Sequence, residues 1–274
     1  MSLTRTTAIA VVLAVASATA LASAPRRVSV PEGTYRPLYR APQRAGAKVS
    51  GRDAGPQRHV PSFEMDVYPV TNAEFLAFVR DHPEWQRSRV SRLFADASYL
   101  RHWQGDLELG PDAPPSSPVV YVSWFAARAY LKDVGEQLPT VDQWEYVGAA
   151  SATARDASRT PAFLDRVREW YGRPTPDRLP AVGSTFRNVY GVRDMHGLVW
   201  EWTLDFNSSL VTGESRADGS LERSLYCGSE AAGASDFEDY AAFMRYAFRS
   251  SLEARYTVSN LGFRGVLATT RPAR

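Results

Sequence analysis

The chain of 274 residues is 44% hydrophobic, 12% aromatic and 23% charged, a globular composition that excludes collagen-like and wholly disordered chains. Its 32 basic residues are nearly balanced by 30 acidic ones, giving a formal net charge of +2, so no electrostatic field points to nucleic acid as a partner. Eighteen glycines and eighteen prolines predict many turns and short elements.

Arg5 precedes an apolar stretch from Ala8 to about Leu21 that ends in the small residues Ala22, Ser23 and Ala24, the pattern of a secretory signal peptide over residues 1–24. The apolar part is short and Ser/Thr-rich for a hydrocarbon layer of about 30 Å, and an uncleaved anchor is the alternative reading. Pro25 fits badly behind a cleavage site because its ring fixes φ, so Ala20, Ala22 and Ala24 all stand as the last residue removed. Residues 25–274 read as one domain, periplasmic or secreted. Cys227 is the single cysteine, which excludes an intramolecular disulfide and leaves stability to the core.

After the leader, Val28 to Val30 is strand-like and is followed by a loose Arg/Pro/Gly-rich loop to about Pro61. Phe63, Met65 and Val67 alternate with polar residues, a strand period. Thr71 and Glu74 form a capping box that opens a helix whose apolar face is Phe75, Phe78 and Val79. Asp81 to Ser117 is polar and proline-punctuated, an ordered surface excursion with Trp85 and Trp103 as isolated anchors. An apolar run at Pro118 to Val122 leads to Ser123, the N-cap of a helix from Trp124 to about Val134 that Gly135 ends. Thr140 and Gln143 make a second capping box for a helix from Asp142 to Ala150. Thr160 and Pro161 open a third helix that runs to Tyr171 and stops at Gly172. Beyond Pro174 only Phe237, Tyr240, Ala241, Met244 and Phe248 show helical spacing.

Four ordered stretches carry a resemblance: Phe63-Glu-Met-Asp-Val-Tyr-Pro-Val-Thr-Asn-Ala-Glu-Phe75, Pro118-Val-Val-Tyr-Val-Ser-Trp124, Leu138-Pro-Thr-Val-Asp-Gln-Trp-Glu-Tyr146 and Asn188-Val-Tyr-Gly-Val-Arg-Asp-Met-His-Gly-Leu-Val-Trp-Glu-Trp202. With Asn260-Leu-Gly-Phe-Arg264 as a fifth, the chain resembles the formylglycine-generating enzyme (sulfatase-modifying factor) family over nearly everything after the leader. The resemblance implies an α+β fold related to the C-type-lectin fold, with little regular secondary structure. Seven tryptophans fit a domain held by aromatic packing, and Trp124, Trp144, Trp200 and Trp202 are expected in the core.

The resemblance also implies a copper site at two cysteines, since Cu(I) prefers soft thiolates. Registered on Arg249 and Asn260 to Arg264, Asp236 and Ala241 stand where those cysteines would be, and one cysteine cannot restore the pair in any register. Formylglycine generation is therefore not expected. Cys227, in Tyr226-Cys-Gly-Ser229 at the edge of the implied cleft, is either a solitary copper ligand or a small buried hydrophobe; Ser229 and Arg249 complete the candidate cleft residues. His59, His82, His102 and His196 lack metal-type spacing, and His196 is expected in a surface or turn role.

A structural calcium ion is implied by the resemblance at Asp194, Gly197, Val199 and Glu201, all-oxygen donors that suit a hard cation. The alternative is that Asp194 and Glu201 pair with Arg193 or Arg187. The resulting functional expectation is an exported accessory factor that binds a protein or peptide in the periplasm, in the manner of companions of secreted metalloenzymes such as copper nitrite reductase. The alternatives are a copper- or iron-dependent oxidase tailoring a peptide-derived small molecule and an immunity module that blocks a toxin.

Overall fold

The computed structural model describes residues 26–37, 57–206 and 240–268. The leader, Cys227, Ser229 and Asp236 lie outside the described residues. Strands are short: β1 (Arg27–Val30), β2 (Gly33–Tyr35), β3 (Arg58–Val60), β4 (Phe63–Asp66), β5 (Trp200–Glu201), β6 (Leu261–Gly262) and β7 (Val266–Ala268). The helices are α1 (Asn72–Asp81), α2 (Trp124–Asp133), α3 (Val141–Gly148), α4 (Pro161–Tyr171) and α5 (Tyr240–Ser250). This is a mixed helix-and-sheet fold in which turns and irregular segments carry much of the chain, as the turn-rich composition predicts. No helix among the described residues is long and apolar enough to cross a membrane.

Each predicted helix start carries its own local reason. Thr71 and Glu74 make both halves of the capping box, and Thr140 and Gln143 do the same for α3. Ser123 caps α2 by accepting the Ala126 N–H. At α4 the proline at the first helical position acts alone, because the Thr160 side chain makes no capping bond. The apolar run at Val119, Val120 and Val122 is buried but forms no strand; its place is a bridge between Thr71 and Pro118.

β1, β4 and β7 form an antiparallel sheet with β4 in the middle, joining the start of the domain to its end. β5 and β6 pair in parallel, setting Trp200 against Leu261 and Glu201 against Gly262. That closeness needs glycine at position 262, where a Cβ would lie 2.8 Å from the Val119 carbonyl oxygen. The main core lies between α1, α2 and the end of the chain, where Phe75, Phe78, Tyr130 and Phe263 meet at ring separations of 5.5 to 6.1 Å. The excursion after α1 is no mere surface loop. It drives Tyr99, Leu100 and Trp103 into this core, and the Trp103 indole donates to the Asn72 side chain at 3.0 Å.

Beneath the three-stranded sheet two buried carboxyls face each other. Asp66 accepts the Gly265 N–H at 3.0 Å, Glu136 sits 3.3 Å from Arg27, and neither Asp66 Oδ1 nor Glu136 Oε2 has a hydrogen-bond donor. Burial, reinforced by the Asp66 charge, pushes the Glu136 carboxyl up from its ordinary 4.5 to about 7 against the pull of Arg26 and Arg27. A carboxyl that holds its proton more tightly when folded stabilises fully below pH 4.5, and that stability is lost as pH rises through about 7. Urea melts of the wild type at pH 5 and pH 8 therefore differ by this contribution, and Glu136→Gln abolishes it. An unchanged pH dependence in the variant would refute the raised Glu136 carboxyl.

Candidate functional site

The site grows from the Trp144-Glu145 pair in the middle of α3, the helix that the second capping box opens. Glu145 faces α5, where arginines four residues apart share one helix face. The Arg245 Nε lies 3.0 Å from both Glu145 oxygens, its Nη2 lies 2.6 Å from Oε2, and the Arg249 Nη1 donates to Oε1. These three side chains are 5 to 6% exposed. Burial alone would raise the Glu145 pKa, but the two guanidiniums outweigh it and hold the carboxyl at about 2.

Trp144 bridges two charge clusters. Its ring lies under the guanidinium carbons of Arg249 and Arg245, at 4.9 and 5.5 Å. Its indole N–H donates 2.8 Å to Glu201 Oε2 on β5. Glu201 in turn accepts from Arg264, with Nη2 at 2.7 Å and Nε at 2.8 and 3.0 Å, and both side chains are fully buried. Arg264 spends its remaining donors on the carbonyls of Asp66, Val67 and Arg193. One guanidinium thus ties β4, β5 and the Asn188–Trp202 segment together.

Above this layer stand the half-buried rings of Trp170, Tyr171, Trp200 and Phe248. Trp200 stacks on Phe248 at 4.5 Å and on Tyr171 at 4.9 Å, with Trp170 at 5.1 Å. His196 sits in a turn, one of its two expected roles, but that turn lies inside the fold and not on its surface, which corrects the other. Its Nε2 donates to the Gly148 carbonyl at 2.8 Å, and Trp144, Phe163, Trp170 and Phe186 surround the ring. Burial, helped by the Arg245 charge, pushes its pKa down to about 3. His196 and Glu145 therefore both keep one protonation state near neutral pH.

The residues expected to hold calcium are otherwise engaged. Asp194 adopts φ 61°, left-handed backbone that Asp tolerates, and its carboxylate accepts from the Gly183 N–H, the Thr185 N–H at 3.0 Å and the Thr185 hydroxyl at 2.8 Å. Gly197 has φ 105°, which fits its place in the turn. Val199 is buried in a small cluster with Val120, Leu179 and Leu198. Glu201 is neutralised by Arg264. The charges of Asp194 and Glu201 are met by separate groups of the chain itself, and a hard divalent cation would have to displace a guanidinium, so this donor set does not fit calcium as it stands. The alternative partners fail too: Glu201 pairs with Arg264 and Asp194 with backbone and Thr185, while Arg193 donates to the Gly183 carbonyl at 3.3 Å. Asp194→Ala is expected to lower stability by about 1–3 kcal/mol through the donors it strands, with a melting curve that shifts equally with and without chelator. A loss confined to calcium-containing buffer would restore the ion.

Of the candidate cleft residues, Arg249 is a buried partner of Glu145 and is not displayed to a ligand. Ala241, at a cysteine position, lies in α5. Trp144 and Trp202 are core as expected, whereas Trp124 and Trp200 are half-buried. Glu145, Arg245 and Arg264 escaped the sequence reading as a network. The available signals were the Glu beside a capping box and the Arg pair at helical spacing.

A family profile described as the sulfatase-modifying factor enzyme 1-like domain matches residues 13–269. The chain is 32% identical to the bovine (Bos taurus) "Inactive C-alpha-formylglycine-generating enzyme 2" over 56% of its own length and 64% of the relative's. It is 30% identical to the formylglycine-generating enzyme of Streptomyces coelicolor, over 74% of this chain and 77% of that one. It is 32% identical to the hercynine oxygenase of Mycolicibacterium smegmatis, over 53% of this chain and 37% of that one. The chain thus spans just under two thirds of the bovine relative and about a third of the oxygenase. The match over residues 13–269 and the identity to the Streptomyces enzyme place this chain in the sulfatase-modifying factor, or formylglycine-generating enzyme, family.

Proposed function

We propose that this chain is an exported member of the family that binds a protein or peptide as an accessory factor, without generating formylglycine. The observation that carries the reading is the cysteine count: one thiol, Cys227, with Asp236 and Ala241 at the positions of the copper-binding pair. A carboxylate and a methyl group cannot replace two thiolates around Cu(I). The rigid, salt-paired layer beneath the aromatic wall supports recognition over proton-transfer chemistry, and a relative named as inactive is compatible with it. Maturation of a periplasmic metalloenzyme, copper nitrite reductase among them, is the setting we propose.

The test is a mature chain incubated with Cu(I), O2 and a sulfatase-derived cysteine peptide, with aldehyde formation read by hydrazide labelling. No labelled peptide is expected, and turnover would overturn the reading. The name of one relative, a hercynine oxygenase, favours one rival, a metal-dependent oxidase of a small molecule. Cys227→Ser separates the two. A binding factor keeps its fold and its partner affinity within about tenfold, or roughly 1.4 kcal/mol. An oxidase built on this thiolate loses about one copper per chain, because a neutral hydroxyl is a poor ligand for a soft ion.

A further inference from the structure

The chain also displays an aromatic strip. Trp85, Phe94, Phe125 and Trp124 follow one another at ring separations of 6.1, 5.4 and 5.4 Å, and Trp124 leads inward to the buried Phe206 at 6.1 Å. Leu93 and Phe94 form its outermost part, 78% and 45% exposed. Neither belongs to a loosely held loop. The turn that carries them is closed by the Phe94 and Ala95 N–H groups on the Ser91 carbonyl, at 2.9 and 3.1 Å, and the next residue, Asp96, is pinned to the Arg255 carbonyl at 2.9 Å. Single exposed apolar side chains need no explanation, but a contiguous strip on fixed backbone keeps apolar area in water at a standing cost.

The cations at this strip have no carboxylate partner among the described residues, while the exposed Glu84 beside Trp85 meets His82 at 3.7 Å. Arg128 lies over the Trp124 ring at 4.5 Å, Arg92 precedes Leu93, and Lys132 continues the outer face of α2 one turn beyond Arg128. Among the described residues none of the three has a carboxylate partner. The nearby acids are already used: Asp133 meets His82 at 3.0 Å, Asp96 accepts from Ser98 and Thr257, and Glu253 meets Arg255 at 3.2 Å.

We infer that the strip from Leu93 to Trp124, with Arg92, Arg128 and Lys132, is a docking surface for an acidic segment of a partner protein that inserts an aromatic or aliphatic side chain. The inference rests on the binding-factor reading and gives it a location. Apolar area supplies the affinity, and the unmatched cations select the carboxylates that flank the inserted residue. A protein segment fits better than a lipid surface. Arg128 lies over the Trp124 ring within the strip, where an insertion tip would hold its cations behind the apolar residues, and beside Leu93 and Phe94 the other rings are half-buried.

The experiment uses fluorescence anisotropy with three labelled dodecapeptides, each carrying a central Trp-Leu flanked by Asp/Glu, by Lys or by Ser. At low salt, about 0.05 M, screening is weak enough for the charges to be read. The acidic peptide is expected to bind in the micromolar range, Leu93→Ser/Phe94→Ser to weaken it at least about tenfold, and Arg128→Glu to transfer the preference to the lysine peptide. All three positions are exposed, so unchanged melting temperatures confirm that the variants fold. Equal binding by wild type and variants, or binding by none of the peptides, overturns the surface. So does preferential binding of phosphatidylglycerol vesicles, or a dimer in sedimentation that the same double change abolishes. The hydrazide assay on the cysteine peptide does not involve this face, so failure of either result leaves the other interpretable.

Discussion

Arg264→Ala is expected to cost about 3–5 kcal/mol, because it strands Glu201 as an unpaired charge in a fully buried position. Three main-chain carbonyls lose their donor in the same step. At roughly 2–4 °C per kcal/mol for a chain of this size, the midpoint of thermal unfolding falls on the order of 10 °C. Arg264→Lys recovers only part of this, since a point charge cannot span both Glu201 oxygens and the carbonyls together. Glu201→Gln alone is damaging for the mirror reason, and the double change Arg264→Met/Glu201→Gln is milder than the sum of the two, because no charge is left unpaired. Strict additivity in that cycle, or an Arg264→Ala midpoint within about 2 °C of the wild type, would show that the pair is not what holds these strands.

Glu145→Ala is expected to be comparable, about 3–5 kcal/mol, but local in its consequences. Glu145 is the carboxylate on which Arg245 and Arg249 converge, so its loss leaves guanidinium charge buried against the Trp144 ring. The anchoring of α5 goes with it. Hydrogen exchange along α5 should accelerate far more than exchange along α1, whose capping box and aromatic packing are untouched. Because the folded carboxyl is held at about 2, below its ordinary 4.5, the pair's contribution is present above pH 4.5 and is lost as pH falls through about 2. His196 adds acid sensitivity at higher pH: its depressed value means the unfolded state takes up the proton first, so stability declines below its ordinary 6.5. Wild-type α5 exchanging no more slowly than a terminus, or Glu145→Ala leaving it unchanged, would refute the anchor.

The cysteine count alone settles which metal chemistry the chain cannot perform by thiolate pairing, because composition survives any folding. Ser229, Cys227 and Asp236 lie outside the described residues, so the cleft edge is argued from sequence only. The docking strip could not be read in advance. Leu93-Phe94 and Trp124-Phe125 are far apart in the chain, and each pair by itself is an ordinary apolar dipeptide.

By itself the sequence determined the helix starts and the family. Thr71, Ser123 and Thr140 act over three residues, and hydrogen bonds that short close the same way whatever surrounds them. The five motifs worked for a related reason, since each is read as a run of neighbours. What the tertiary structure decided was the partner of every buried charge. Asp194 and Glu201 look like one oxygen-rich ligand set along the chain, yet Glu201 is claimed by Arg264, 63 residues away, and Asp194 by the turn at Gly183 and Thr185. Glu145 finds its arginines 100 and 104 residues downstream. His196, expected in a surface or turn role from its neighbours in sequence, is enclosed by rings from α3, α4 and the preceding loop. A buried charge must be paired by whatever the fold brings within about 3 Å, and that choice is made by packing among distant segments, which no local pattern records.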